Sequence, residues 1–169
     1  LYYGGRREGG KGWDWLLEAF AAAVTRHRLP FDLVTTGVGP VNPPPSIADR
    51  VIDLGFLDRQ EIADVFAAAD AYVQPSRMES FSFTIMEAWL AGTPVVANGE
   101  SDVVTWHCER SGAGLTYHDW YEFAECLRFL AEAPEAARKL AAPGRDYVVE
   151  HYSWDPVLDT MEARLEEMP

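Results

Sequence analysis

Short apolar runs with strand character alternate with segments of helical periodicity along almost the whole chain, and this constrains the fold more than any other feature. Such alternation calls for β-α-β units and a parallel sheet. Strands are expected at Leu1–Tyr3, Phe31–Thr36, Val51–Leu54, Ala71–Gln74, Pro94–Ala97 and near Ala113–Leu115. Between the first two, Trp13, Leu16, Leu17, Phe20 and Val24 recur at helical spacing as far as about Arg28, and Pro30 stops the helix. Pro43-Pro44-Pro45 is too stiff to continue either element. Asp58 and Glu61 form a capping-box pair opening a helix to about Ala69. A further helix runs from about Ser82 to Ala91 and is closed by Gly92 and Pro94. A short helix is expected around Val103–Glu109. Three more, Trp120–Ala131, Pro134–Glu150 with a break at Pro143-Gly144, and Trp154–Glu167, finish the chain. The whole reads as one doubly wound, Rossmann-like α/β domain over residues 1–169.

Length and charge exclude several classes. At 169 residues the chain suits one domain of the usual size. Lys and Arg number 14 against 27 Asp and Glu, and a net charge of −13 argues against a general nucleic-acid binder. No apolar run approaches the roughly 18 residues of a membrane helix, and the first residues show no charged n-region followed by an apolar h-region. Leu1-Tyr2-Tyr3 has the character of a strand interior, so a domain cut from a longer polypeptide is expected. Cys108 and Cys126 support neither a disulfide framework nor a zinc site, and reduced thiols point to the cytoplasm. The six Trp read as packing, and the four His, which share no spacing, as solvent-facing or helix-end residues.

Ligands of an open parallel sheet bind beyond the carboxyl ends of its strands, so the loops that follow strands carry the chemistry. The first, Gly5-Arg6-Arg7-Glu8-Gly9-Gly10-Lys11-Gly12, joins strand to helix with four glycines and three cations. Backbone N–H groups at such a turn suit a phosphate. Gly5, Gly10 and Lys11 fit most of a Walker A loop, but Gly12 replaces the hydroxyl that holds magnesium, which weakens a nucleoside-triphosphatase reading. A flexible turn whose cations offset an acidic surface is the plainer alternative. In the second stretch Glu79 lies in a loop and Glu87 inside the following helix, where spacing places it among Phe83, Met86 and Leu90. A carboxylate on an apolar stripe costs several kcal/mol unless a donor meets it. The competing reading is a Glu that reaches solvent at the edge of the stripe. Ser80, Phe81 and Ser82 stand at the helix start, whose free N–H groups face the same crevice.

Taken in order, these residues resemble the C-terminal, donor-binding half of retaining glycosyltransferases of the GT-B fold, the large glycosyl transferases group 1 family. The resemblance rests on Gly5-Arg6 with Lys11-Gly12, Gly37-Val38-Gly39-Pro40 and Leu54-Gly55-Phe56-Leu57. Further along come Ala69-Asp70-Ala71 through Pro75-Ser76, the E-x7-E pair Glu79 and Glu87, Ala91-Gly92-Thr93-Pro94-Val95-Val96 and Tyr152-Ser153-Trp154. It implies that Arg6 and Lys11 hold the diphosphate of a UDP- or GDP-type nucleotide-sugar, with Glu79 on the sugar as the third catalytic residue. Ser80, Phe81 and Ser82 would offer backbone amides, Glu87 would take the ribose hydroxyls, and Phe56 and Leu57 would pack the base, with Gly5 completing the donor site. No metal or other cofactor is expected, because two fixed cations oppose the charge on the departing diphosphate. The acceptor, a sugar, lipid or protein, would be held by an absent N-terminal domain. The isolated chain is therefore expected to bind donor without turnover, and residues 154–169 to form a helix crossing to that domain. Location in the cytoplasm, at the inner face of a membrane for a lipid acceptor, is the corresponding expectation.

Family members commonly carry glycine where this chain has Ser80 and Ser82, and serines are strained if the backbone there needs positive φ. Two other readings follow from that departure and from the missing domain: a non-catalytic nucleotide-sugar-binding or scaffolding module, and a nucleotide-sugar epimerase.

Overall fold

The computed structural model describes residues 1–167. Six parallel strands, β1 (Tyr2–Gly4), β2 (Leu33–Thr36), β3 (Val51–Asp53), β4 (Tyr72–Gln74), β5 (Val95–Asn98) and β6 (Leu115–Tyr117), form one sheet in the order β3-β2-β1-β4-β5-β6. The order turns back between β1 and β4, which makes the sheet doubly wound, as expected. Successive strand residues point to opposite faces, so Tyr2, Tyr72, Val95 and Ala97 enter one core, whereas Tyr3, Val73 and Val96 enter the other.

Each face is covered by helices. On one side lie α1 (Trp13–Arg26) and α5 (Trp120–Glu132), with Leu16, Phe20, Phe123 and Leu127 fully buried. The other side carries α2 (Arg59–Ala68), α3 (Phe83–Leu90), α4 (Asp102–Ser111) and α7 (Ala141–Tyr152). The Asp58–Glu61 capping box is present as the sequence predicts, with Asp58 accepting from the Gln60 and Glu61 amides. Cys108 and Cys126 are free, and burial pushes their thiols up to about 12 and about 11.

Some local expectations give way. The triproline loop is followed by a 3₁₀ helix, Pro45–Arg50, because proline fits the first turn, where no N–H is needed. The break expected at Pro143-Gly144 falls earlier, between α6 (Pro134–Lys139) and α7. Pro143 sits in the first turn of α7, whose N–H groups have no helical partner in any case. His107, expected at the surface, is buried, and its Nδ1 lies 2.9 Å from the Tyr147 hydroxyl. The last helix, α8 (Trp154–Glu166), buries none of its residues and leaves Leu158, Met161 and Leu165 exposed. The end of the helix expected over 154–169 lies outside the described residues.

Where α7 crosses α3, Gly144 admits the indole of Trp89: a β-carbon at 144 would stand 2.5 Å from Trp89 Cγ. Gly144→Ala is therefore expected to cost about 1–3 kcal/mol in denaturant unfolding, as overpacked cores do. Gly10→Ala, where an added methyl meets nothing within 4 Å, should stay within about 0.5 kcal/mol of the parent.

Candidate functional site

Where the strand order turns, the loops after β1 and β4 leave neighbouring strands at one edge, and both are pressed together at the backbone. Gly12 has φ 75, and a β-carbon there would lie 2.4 Å from the Pro75 carbonyl oxygen. On the other flank Gly37, at φ 114, approaches so closely that its β-carbon would lie 2.1 Å from the Gly5 carbonyl oxygen. Only glycine fits such contacts at positive φ. Lys11 and Glu79 meet across the junction: Lys11 Nζ donates to Glu79 Oε1 at 2.9 Å, with the carboxylate side chain 12% exposed. Asn98 braces the same loop, donating to the Pro75 carbonyl at 3.2 Å and accepting from the Glu100 amide at 2.9 Å.

The cations of the first loop divide into different roles. Arg6 is exposed and pairs with Glu8 at 3.4 Å, without a bond to Lys11 or Glu79. Arg7, which sequence reasoning did not separate from its neighbours, is buried. Its guanidinium donates to Thr35 Oγ1 (3.2 Å), the Gly39 carbonyl (2.7 Å) and Asp53. That ion pair ties the first loop to β2 and β3. No local signal distinguished it, since adjacent arginines look alike until the loop folds.

A cleft of about 800 Å³ opens between α2 and α3, lined by Phe56, Leu57, Arg59, Phe66, Glu87 and Leu90 among others. A narrower hollow of about 230 Å³ shares Phe56, Leu57 and Glu87 with it and reaches Gly5 and Gly37. The structure thus brings Gly5, Phe56, Leu57 and Glu87 together, with Phe56 at the mouth, 84% exposed. The setting of Glu87 differs from the expectation. The core face of α3 is Ile85, Met86, Ala88 and Trp89, whereas Phe83 is 73% and Leu90 43% exposed. This helix is apolar nearly all round, so periodicity alone did not choose which stripe meets the sheet. Glu87 is exposed on the cleft wall beside Leu90, the solvent-reaching placement of the competing reading. Its partial burial there still pushes the carboxyl above the usual range, and the Arg59 charge only partly offsets this. Arg59 is a cleft residue that the sequence reading missed; its place at the start of α2 was the available signal.

The segment before α3 faces a second hollow of about 440 Å³, where Ser80 and Phe81 meet Asp102, Trp106, His107 and Tyr152. The Phe81 ring packs edge-on against His107 and Tyr152, both at 5.1 Å. Burial lowers the pKa of His107. Ser82 caps α3 with φ 67, the positive value at which a serine is strained. Among the described residues no helix is long and apolar enough to cross a membrane.

Comparison with known proteins bears on the family and the fold. The family described as glycosyl transferases group 1 matches residues 1–133. A D-inositol 3-phosphate glycosyltransferase of Saccharomonospora viridis is 32% identical over an aligned 180 residues, which cover 95% of this chain and 41% of the relative. An MMP alpha-(1->4)-mannosyltransferase of Mycolicibacterium hassiacum is 31% identical over 155 residues, covering 87% and 38%. The chain thus spans less than half the length of either relative. Among solved structures, a sucrose-phosphate synthase from Thermosynechococcus elongatus superposes with a TM-score of 0.81 at 23% identity, covering 98% of this chain and 44% of the other. Anabaena HepE in complex with UDP superposes with a TM-score of 0.81 at 21% identity, covering 99% and 49%. With its doubly wound sheet and the loops that meet at its edge, this chain belongs to the glycosyl transferases group 1 family and has the Rossmann-like fold of a GT-B glycosyltransferase domain.

Proposed function

We propose that this chain holds the nucleoside diphosphate of a sugar donor and serves a hexosyltransferase that retains anomeric configuration, with the acceptor carried by a part of the enzyme outside this chain. The observation that carries the reading is the junction of the loops after β1 and β4, where Lys11 and Glu79 meet, with Gly5 at the start of the first loop lining the hollow that also holds Glu87. The chemistry follows from these groups. A diphosphate entering between the loops competes with Glu79 for the Lys11 ammonium, and the freed carboxylate is left to accept from sugar hydroxyls. Glu87 accepts from the ribose hydroxyls, and Phe56 and Leu57 cover the base. As the glycosidic bond breaks, negative charge grows on the departing diphosphate, and fixed donors placed against it lower the barrier. Lys11 supplies that charge directly. Arg6, whose exposed side chain pairs with Glu8, would swing toward the phosphates. With these cations as counter-charge the reading requires no metal ion. The exposed face of α8 supports docking onto the acceptor-carrying part.

Calorimetric titration with UDP, GDP and ADP tests the assignment. One diphosphate is expected to bind selectively. Glu87→Ala and Lys11→Ala should each weaken it about 10- to 100-fold, the worth of one charged hydrogen bond at about 1.5–3 kcal/mol. Unchanged affinity in both variants would overturn the site. The pH dependence has a definite sign. Because the Glu87 carboxyl titrates above the usual range, nucleotide affinity should fall as acidification protonates it. The fall is expected to set in above the ordinary glutamate range, and Glu87→Gln should remove this step from the affinity–pH curve.

A further inference from the structure

Beneath the turn that leads into α3, the buried side chains of Gln74 and Ser82 meet, with Thr84, which also lines the hollow that holds Glu87, beside them. Gln74, the last residue of β4, is 5% exposed, and Ser82 is 6% exposed. Gln74 Nε2 donates to Ser82 Oγ at 2.7 Å and lies 3.3 Å from Thr84 Oγ1. Ser82 stands at φ 67, ψ 69 in the left-handed region, a conformation that disfavours any residue with a β-carbon and costs glycine nothing. Each residue is unfavourable by itself: a buried amide needs an acceptor, and a serine in this backbone state needs something to hold it there. Together they answer one another. The amide gains its acceptor, and the hydroxyl is fixed in the one place that keeps the backbone turned.

From this geometry we propose that Gln74 and Ser82 form a positioning clamp: their buried amide–hydroxyl bond holds the left-handed turn at Ser82 and so sets how the first free N–H groups of α3 face the crevice. Gln74 thereby controls affinity for a nucleoside diphosphate without touching it. The inference rests on the donor-site reading above and deepens it. It also explains how serine occupies a positive-φ position, since the cost in the backbone is offset by satisfying a buried donor.

The test is a double-mutant cycle on the whole chain with Gln74→Met, Ser82→Gly and the pair combined, titrated with whichever of UDP, GDP or ADP the parent binds. Gln74→Met, close in shape but without the donor, should weaken binding about 5- to 10-fold, and Ser82→Gly in that background should restore it to within about 2-fold, because glycine keeps the turn unaided. Ser82→Ala, which keeps the β-carbon and removes the acceptor, should weaken binding like Gln74→Met and gives a second route should that variant fail to fold. Amide hydrogen exchange across residues 80–84 is expected to quicken in Gln74→Met and to slow again in the pair. A lower melting temperature with unchanged affinity would show a merely structural bond and overturn the clamp, as would lost affinity that glycine does not rescue. If Glu87→Ala weakens binding and Gln74→Met does not, the clamp fails and the donor site stands. If the parent binds no diphosphate, both fall.

Discussion

The arrangement depends on the pairing of β1 with β4, recorded by the Tyr2–Tyr72 register and by the Tyr2 amide donating to the Ala71 carbonyl at 2.9 Å. Because these strands are parallel neighbours while the chain winds away from them in opposite directions, no connection covers the edge where both end. A crevice is therefore built into the topology. The loops that border it approach closely, with Gly12 against Pro75 and Gly37 against Gly5 at distances that leave no room for a side chain. Backbone contacts of this kind place Lys11 within bonding distance of Glu79, although 68 residues separate them.

Charge is used unevenly around that crevice. The chain carries a net charge of −13, yet three of its cations stand in one eight-residue loop, each with a different task. Arg7 is spent on the scaffold, where its buried guanidinium satisfies Thr35, Gly39 and Asp53 and couples three strands' ends. Lys11 is held by the Glu79 carboxylate, and Arg6 stays at the surface. Glu87 sits on a wall of mostly apolar residues, which raises its pKa and increases what a hydroxyl donor gains by meeting it.

Much of the fold is legible in the sequence, because its signals are local. The α1 stripe of Trp13, Leu16, Leu17, Phe20 and Val24 is buried as its spacing predicts, and Asp58 with Glu61 opens α2. Helix α3 was harder, since it has apolar residues on nearly every side. Its periodicity had no single phase, and the sheet and α7 chose the face carrying Ile85 and Trp89. His107 was misread for a related reason: its partner Tyr147 is 40 residues away, beyond any local pattern. Gln74 passed as an ordinary strand residue because its partner Ser82 is met only around a turn.

The sequence by itself determined the alternation of strands and helices, the parallel sheet, and the loops able to carry chemistry, for these follow from periodicity, caps and glycine. Tertiary structure alone decided which loops meet, which arginine is buried, which stripe of α3 faces the sheet, and that Ser82 occupies a left-handed turn with Gln74 as its partner. The physical reason is range. Propensity and pattern act over a few residues along the chain, whereas burial and hydrogen-bond satisfaction are settled between residues that only the folded sheet brings together.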